Sequence, residues 1–181
     1  MNIRIIAGWH GSRIIKGSGT RRTHPMSERI RGAIFNSIGR EIDGARVLDA
    51  FAGSGALGLE AISRGAKEAV FVERDRVAQK VIAKNIALLR EEDRAHLSRA
   101  TVSSWLGTYD GEDFDIIFAD PPYHDPQLST ALELLGLLKP NGLMVLSYPG
   151  RGEVPTELGD VVVDIRSYGD AALAFYRRKD A

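Results

Sequence analysis

Val47-Leu48-Asp49-Ala50-Phe51-Ala52-Gly53-Ser54-Gly55-Ala56-Leu57-Gly58 is the stretch on which the reading of this chain turns. An apolar run ends in an acid, passes through a glycine turn and opens a helix, so it predicts the start of a βα unit. Gly53, Gly55 and Gly58 satisfy G-x-G-x-x-G, and Glu73 follows twenty residues after Gly53. Those are the terms of a dinucleotide fingerprint, so a nicotinamide oxidoreductase is one reading. Asp49, four residues before the first glycine, opposes it. A pyrophosphate brought close to this turn would be repelled by a carboxylate, whereas the ammonium and sulfonium of S-adenosylmethionine would be attracted. Glycines also let backbone approach a ligand without a Cβ clash. The predicted contacts to such a cofactor are Asp49, Phe51, Ala52, Gly53, Ser54, Gly55, Leu57 and Gly58. Glu73, with Arg74 beside it, ends the second strand and can accept hydrogen bonds from ribose hydroxyls. Ser103 and Ser104, after the third strand, are candidates for the adenine edge.

Outward from this stretch the pattern alternates. Strands are predicted at Arg46–Ala50, Ala69–Glu73, near Ala95–Val102, at Phe114–Ala119 and at Leu143–Ser147. Helices are predicted at Ala56–Arg64, at Arg76–Arg90 behind the cap Asp75, and at Gln127–Leu138, with a short turn through Trp105. Such alternation with short connections means a parallel sheet covered by helices on both faces. Val161–Ser167 and Ala171–Arg177 alternate at period two around Tyr168-Gly169-Asp170, which predicts a terminal hairpin. Upstream, Ile3–Ala7 and Arg13–Lys16 read as an extended arm, and Ser27 as the cap of a helix running to about Gly39. The expected architecture is α/β: a seven-stranded, mostly parallel, Rossmann-like sheet with one antiparallel strand, similar to the class I methyltransferase sheet. Residues 1–26 are expected to form a basic arm packed on a single compact domain, residues 27–181.

Asp120-Pro121-Pro122-Tyr123 follows the buried strand Phe114–Ala119 and so lies at the sheet edge where open α/β folds bind ligands. Two consecutive prolines fix two φ angles and remove two backbone donors. A stiff corner remains, with outward carbonyls, an acceptor carboxylate and an aromatic face. Asp120 and the Pro121 carbonyl can hold the N–H groups of an exocyclic amine. That favours localisation of its lone pair and stabilises the positive charge that grows on nitrogen during attack. Tyr123 can stack on an extruded or unpaired base. The same tetrapeptide also suits a glutamine amide, and a rigid turn with a solvent-facing tyrosine is its plainest reading. The four histidines, His10, His24, His96 and His124, are scattered without metal spacing, and no metal is expected.

The 181 residues can bury roughly 70% of their unfolded surface as one domain. Cysteine is absent, which excludes disulfide and thiolate chemistry and suits a reducing cytoplasm. No apolar run approaches a membrane span. Net charge is zero, yet residues 1–40 hold eight Lys/Arg against the single acid Glu28, a local +7 balanced by −7 elsewhere. A basic arm on a neutral-to-acidic body points to nucleic-acid phosphate. Arg13, Lys16, Arg21, Arg22, Arg29 and Arg31 are its candidate contacts, beside the polar loop Gly17-Ser18-Gly19-Thr20.

Two motifs in this order on one chain resemble the bacterial 16S ribosomal RNA guanine-N2 methyltransferase family, the RsmD family. The resemblance rests on Arg4–Gly8, Pro25–Asn36, Leu48–Ala61, Ser63–Ala66, Val72–Asp75 and Asp120–Tyr123, and covers nearly the whole length. It departs at His24, Met26 and Gly32. It implies S-adenosylmethionine as methyl donor, with Asp120, Pro121, Pro122 and Tyr123 in the catalytic corner. It also implies a guanine of small-subunit ribosomal RNA as acceptor, within an assembled or partly assembled subunit. A monomer is expected. An adenine-N6 methyltransferase is the alternative within the same chemistry. It is disfavoured for DNA because no separate region is large enough to read a sequence. A protein-glutamine methyltransferase would be expected to carry Asn at position 120 and a larger N-terminal domain, and a non-catalytic RNA module would need neither motif.

Overall fold

The structure is a computed structural model that describes residues 1–19, 26–150, 152–169 and 171–179. Arg21, Arg22 and His24 lie outside the described residues. The chain opens with a two-stranded antiparallel hairpin, β1 (Asn2–Arg4) and β2 (Ile14–Lys16), in which Ile3 pairs with Ile15. Helix α1 (Glu28–Ile38) starts at the expected cap, the Ser27 hydroxyl accepting from the Ile30 amide, and a 3₁₀ turn, Gly39–Ile42, follows it.

Then come β3 (Arg46–Ala50), α2 (Ala56–Ser63), β4 (Glu68–Glu73), α3 (Arg76–Leu88), β5 (Ala95–Arg99), α4 (Val102–Thr108), β6 (Phe114–Ala119), α5 (Leu128–Glu133), β7 (Leu138–Pro149), β8 (Val161–Tyr168) and β9 (Ala171–Arg178). The large sheet has the order β5-β4-β3-β6-β7-β9-β8. β3 to β7 are parallel, and β9 runs antiparallel between β7 and β8. This is the seven-stranded, mostly parallel sheet with its terminal hairpin that the alternation predicts.

Both faces of the central strands are buried, so alternate residues feed two cores. Val47, Phe71, Ile116 and Phe118 pack with α1, α2, α3 and the hairpin residues Ile3, Ile5 and Ile15. Leu48, Val70, Val72, Ile117 and Met144 pack with Val102 and Trp105 of α4 and with Ala131 and Leu134. Three local readings differ from the structure. Residues 102–108 form a helix, α4, because the Thr101 side chain accepts from the Ser104 amide and caps it. Helix α5 stops at Glu133 and tightens into the 3₁₀ turn Leu134–Leu137. β7 extends past its predicted ends, pairing at Leu138 with Phe114 and at Pro149 with Ala171. Among the described residues, no helix is long and apolar enough to cross a membrane.

Candidate active site

The carboxyl ends of β3, β4 and β6 open into one cavity of about 920 Å³, large enough for a nucleoside-sized ligand and an acceptor group together. Its first wall is the turn after β3. Phe51, Gly53 and Gly55 all have positive φ (57°, 59° and 83°), which folds the backbone tightly before α2. Asp49 is buried, and its Oδ2 accepts from the Gly58 amide at 2.9 Å. Burial pushes its pKa well up and the Gly58 amide opposes this, while the neighbouring charges of Asp120 and Glu73 push it further up. Glu73 clamps two loops: Oε1 accepts from the Gly53 amide at 2.8 Å and Oε2 from the Asp75 amide at 2.7 Å. Burial raises its pKa too, against those amides. A carboxylate offers about four lone-pair sites, so acceptor capacity remains for ribose hydroxyls.

The second wall is the corner after β6. Every peptide bond there is trans, Pro121 is buried and Tyr123 is 43% exposed. Burial raises the Asp120 carboxyl to about 7, opposed by a hydrogen bond from the Ser147 side chain on β7. At the rim, Arg74 lies 3.6 Å from Asp125.

Asp49, Phe51, Ala52, Gly53, Ser54, Leu57, Glu73, Arg74 and the whole Asp120–Tyr123 tetrapeptide line this one cavity. Gly55 and Gly58 do not. A Cβ on Gly58 would come 2.3 Å from the Phe71 ring, so this glycine answers to helix–strand packing and not to ligand approach. Ser103 and Ser104 are exposed on the first turn of α4, away from the lining; Ala100, Thr101 and Val102 take the place they were expected to hold. The cap at Thr101 turns the chain one residue too early for the serines to face inward.

Arg31 corrects the reading of a solvent-facing phosphate contact. It is 2% exposed, and its Nη1 donates to the Arg4 carbonyl and to Glu60 Oε1, both at 2.9 Å. Glu60 is fully buried in α2 and also accepts from the amides of Ile6 and Ala7 and from Arg64 Nε. This carboxylate, absent from the sequence reading, therefore joins the N-terminal arm and α1 to the βα unit that carries the glycine turn. Its signal was in the sequence: one acid in the otherwise uncharged helix Ala56-Leu57-Gly58-Leu59-Glu60-Ala61-Ile62-Ser63. An acid on such a helix is buried, and a buried acid needs donors. Arg13, Lys16 and Arg29 are exposed. Asn85, buried on α3, spans from arm to turn: Oδ1 accepts from the Lys16 amide, and Nδ2 donates to the carbonyls of Lys16 and Ser54. Among the described residues, no group of three or more His, Asp and Glu could hold a metal ion.

The family model Conserved hypothetical protein 95 matches residues 3–177. The Bacillus subtilis protein YlbH is 33% identical over 183 residues, 98% of this chain and 100% of its own. Ribosomal RNA small subunit methyltransferase D of Escherichia coli K12 is 37% identical over 140 residues, 77% of this chain and 68% of its own. The solved structure of Escherichia coli yhhF superposes with a TM-score of 0.86 at 31% identity, over the full length of both chains. The chain therefore belongs to the Conserved hypothetical protein 95 family, the RsmD family, as its two motifs and their order predicted.

Proposed function

We propose that the chain transfers a methyl group from S-adenosylmethionine to the exocyclic N2 of a guanine in small-subunit (16S) ribosomal RNA. One observation carries the donor half. Asp49, Glu73 and Asp120 face a single cavity, and both Asp120 and Glu73 act on the charge of Asp49. A cavity of that polarity suits an ammonium and a sulfonium and rejects a pyrophosphate. Glu73 and the turn Phe51–Ser54 would hold the ribose and the amino-acid end. Once bound, the cofactor supplies an electrophilic methyl group.

The acceptor half rests on the corner after β6 and on relatives. Asp120 and the Pro121 carbonyl accept from the base amine, each hydrogen bond to the charged carboxylate contributing about 1.5–3 kcal/mol. Tyr123 stacks on the base. The curated relatives whose names give a substrate are ribosomal RNA methyltransferases, among them small subunit methyltransferase D of Haemophilus influenzae at 34% identity and of Escherichia coli K12 at 37%. The choice of guanine N2 over adenine N6 follows the family resemblance. In this reading residues 27–181 are the methyltransferase domain, residues 1–26 are its basic arm, and a cytoplasmic monomer acts on an assembled or partly assembled subunit.

The test is mass mapping of 16S RNA from small subunits incubated with the chain and methyl-labelled cofactor. A single labelled N2-methylguanine is expected. Label on adenine would move the activity to N6, and calorimetry showing NAD bound in preference to S-adenosylhomocysteine would remove the methyltransferase reading.

A further inference from the structure

The cations of α3 are absent from every role described so far. The helix reads Arg76-Val77-Ala78-Gln79-Lys80-Val81-Ile82-Ala83-Lys84-Asn85-Ile86-Ala87-Leu88 and contains no acid. Arg76, Lys80 and Lys84 recur every fourth residue on its exposed side, about 6 Å apart along the axis. Like charges at that spacing oppose the helix, and Arg76 stands at the end where the helix dipole disfavours a cation. Among the described residues, none of the three has a carboxylate partner. Local stability therefore does not account for the stripe. Exposed Val77 and Leu88 lie on the same helix and add apolar surface among the charges.

The stripe has two defined ends. Arg76 lines the mouth of the active-site cavity. At the other end the turn of the N-terminal hairpin is fastened to the helix. Arg13 Nη2 donates to the Leu88 carbonyl, and His10 is buried with its Nε2 3.0 Å from Glu91 Oε2. Arg13 Nη1 donates to His10 Nδ1, so Nε2 carries the ring proton. Glu91, the acid at this end, is thus taken up by His10 and Arg94; Glu92 and Asp93 lie beyond it in the turn to β5. Next to His10 stands Trp9, its amide donating to the Ser63 carbonyl at 2.7 Å and the residue 87% exposed. Held by a fixed backbone and left in water, this large aromatic offers a flat face on which a base can stack.

We infer that the exposed side of α3, with Arg13 and Lys16 of the hairpin, is a track for the phosphates of substrate RNA running from the cavity mouth to Trp9, which stacks a base. This rests on the reading of the substrate as RNA. Regular cations with interleaved apolar groups and a terminal aromatic match a polyanion that carries bases. They do not match an anionic membrane, which would ask for apolar residues along one continuous face.

The experiment measures binding of a 16S RNA transcript between 50 and 400 mM salt, for wild type, Lys80→Gln/Lys84→Gln, Trp9→Ala and Trp9→Phe. Each single-strand phosphate contact contributes about 0.7 to the slope of log affinity against log salt, so the double variant should lose about 1.4. Trp9→Ala should weaken binding roughly 5- to 150-fold with the slope retained, and Trp9→Phe should keep most of the affinity. Calorimetric affinity for S-adenosylhomocysteine should stay at the wild-type value in all three. An unchanged slope in the double variant overturns the track, as does loss of binding to phosphatidylserine vesicles with RNA binding intact. A wild type that binds the transcript with the expected slope yet methylates no subunit RNA would sink the proposed activity and leave the track standing.

Discussion

The two walls of the cavity use the same chemical group in opposite ways. On the β3–β4 side, the Asp49 and Glu73 carboxylates are held by backbone amides of Gly58, Gly53 and Asp75. On the β6 side, Asp120 is followed by two prolines, which have no amide hydrogen to offer. The polar neighbour that steadies its charge is a side chain, Ser147. The first pair of acids therefore shapes loops as well as facing the ligand. The third keeps its acceptor capacity for whatever enters. Burial raises all three, but nothing in its own loop stabilises the Asp120 anion.

The contrast can be broken most sharply at Asp120. Asp120→Ala should lower kcat about 10²–10³-fold in a methyl-transfer assay, with calorimetric affinity for S-adenosylhomocysteine nearly intact. Asp120→Asn keeps a carbonyl acceptor and should lose less activity, and it should also stabilise the fold. The native carboxyl titrates at about 7, above its unfolded value near 3.9. Its favourable contribution is therefore complete below about pH 4 and is lost as pH rises through 7. Thermal melts should show the Asn variant ahead of wild type at pH 8 and level with it at pH 4.

Glu73→Ala strikes the other wall. Affinity for the cofactor should fall at least about 10-fold, and stability should fall as well. Removing the carboxylate leaves the Gly53 and Asp75 amides without acceptors, at about 1–3 kcal/mol for each that stays buried. A variant that loses affinity but keeps its melting temperature would mean that the clamp on the two loops is idle.

The smallest effect belongs to Ser147→Ala. In wild type, kcat/KM should rise with pH and level off near 7, since the acceptor is the carboxylate. Ser147 holds the Asp120 pKa down, so its removal should move that break upward. A profile flat from pH 6 to 8 would take Asp120 out of the transfer step.

Much of this geometry was legible because it follows local rules. The near-continuous burial of the apolar runs β3, β4 and β6, the caps at Ser27 and Asp75 and the stiff corner at Pro121-Pro122 each follow from a few adjacent residues. What stayed hidden was decided by long-range partners. Arg31 reads as a surface cation until Glu60, 29 positions away, comes to lie against it. Gly58 reads as a ligand glycine until Phe71 is packed on its face. Ser103 and Ser104 were misplaced by a single capping side chain, that of Thr101. The cations of α3 were plain in the sequence, but only the fold lines them up between the cavity mouth and Trp9.

Asn85 carries one last consequence. Its amide grips the Lys16 backbone on one side and the Ser54 carbonyl on the other, so the hairpin and the glycine turn share a mechanical joint. Whatever tightening a partner on the hairpin transmits through that joint to a ligand on the turn, the ligand must return to the partner in equal measure.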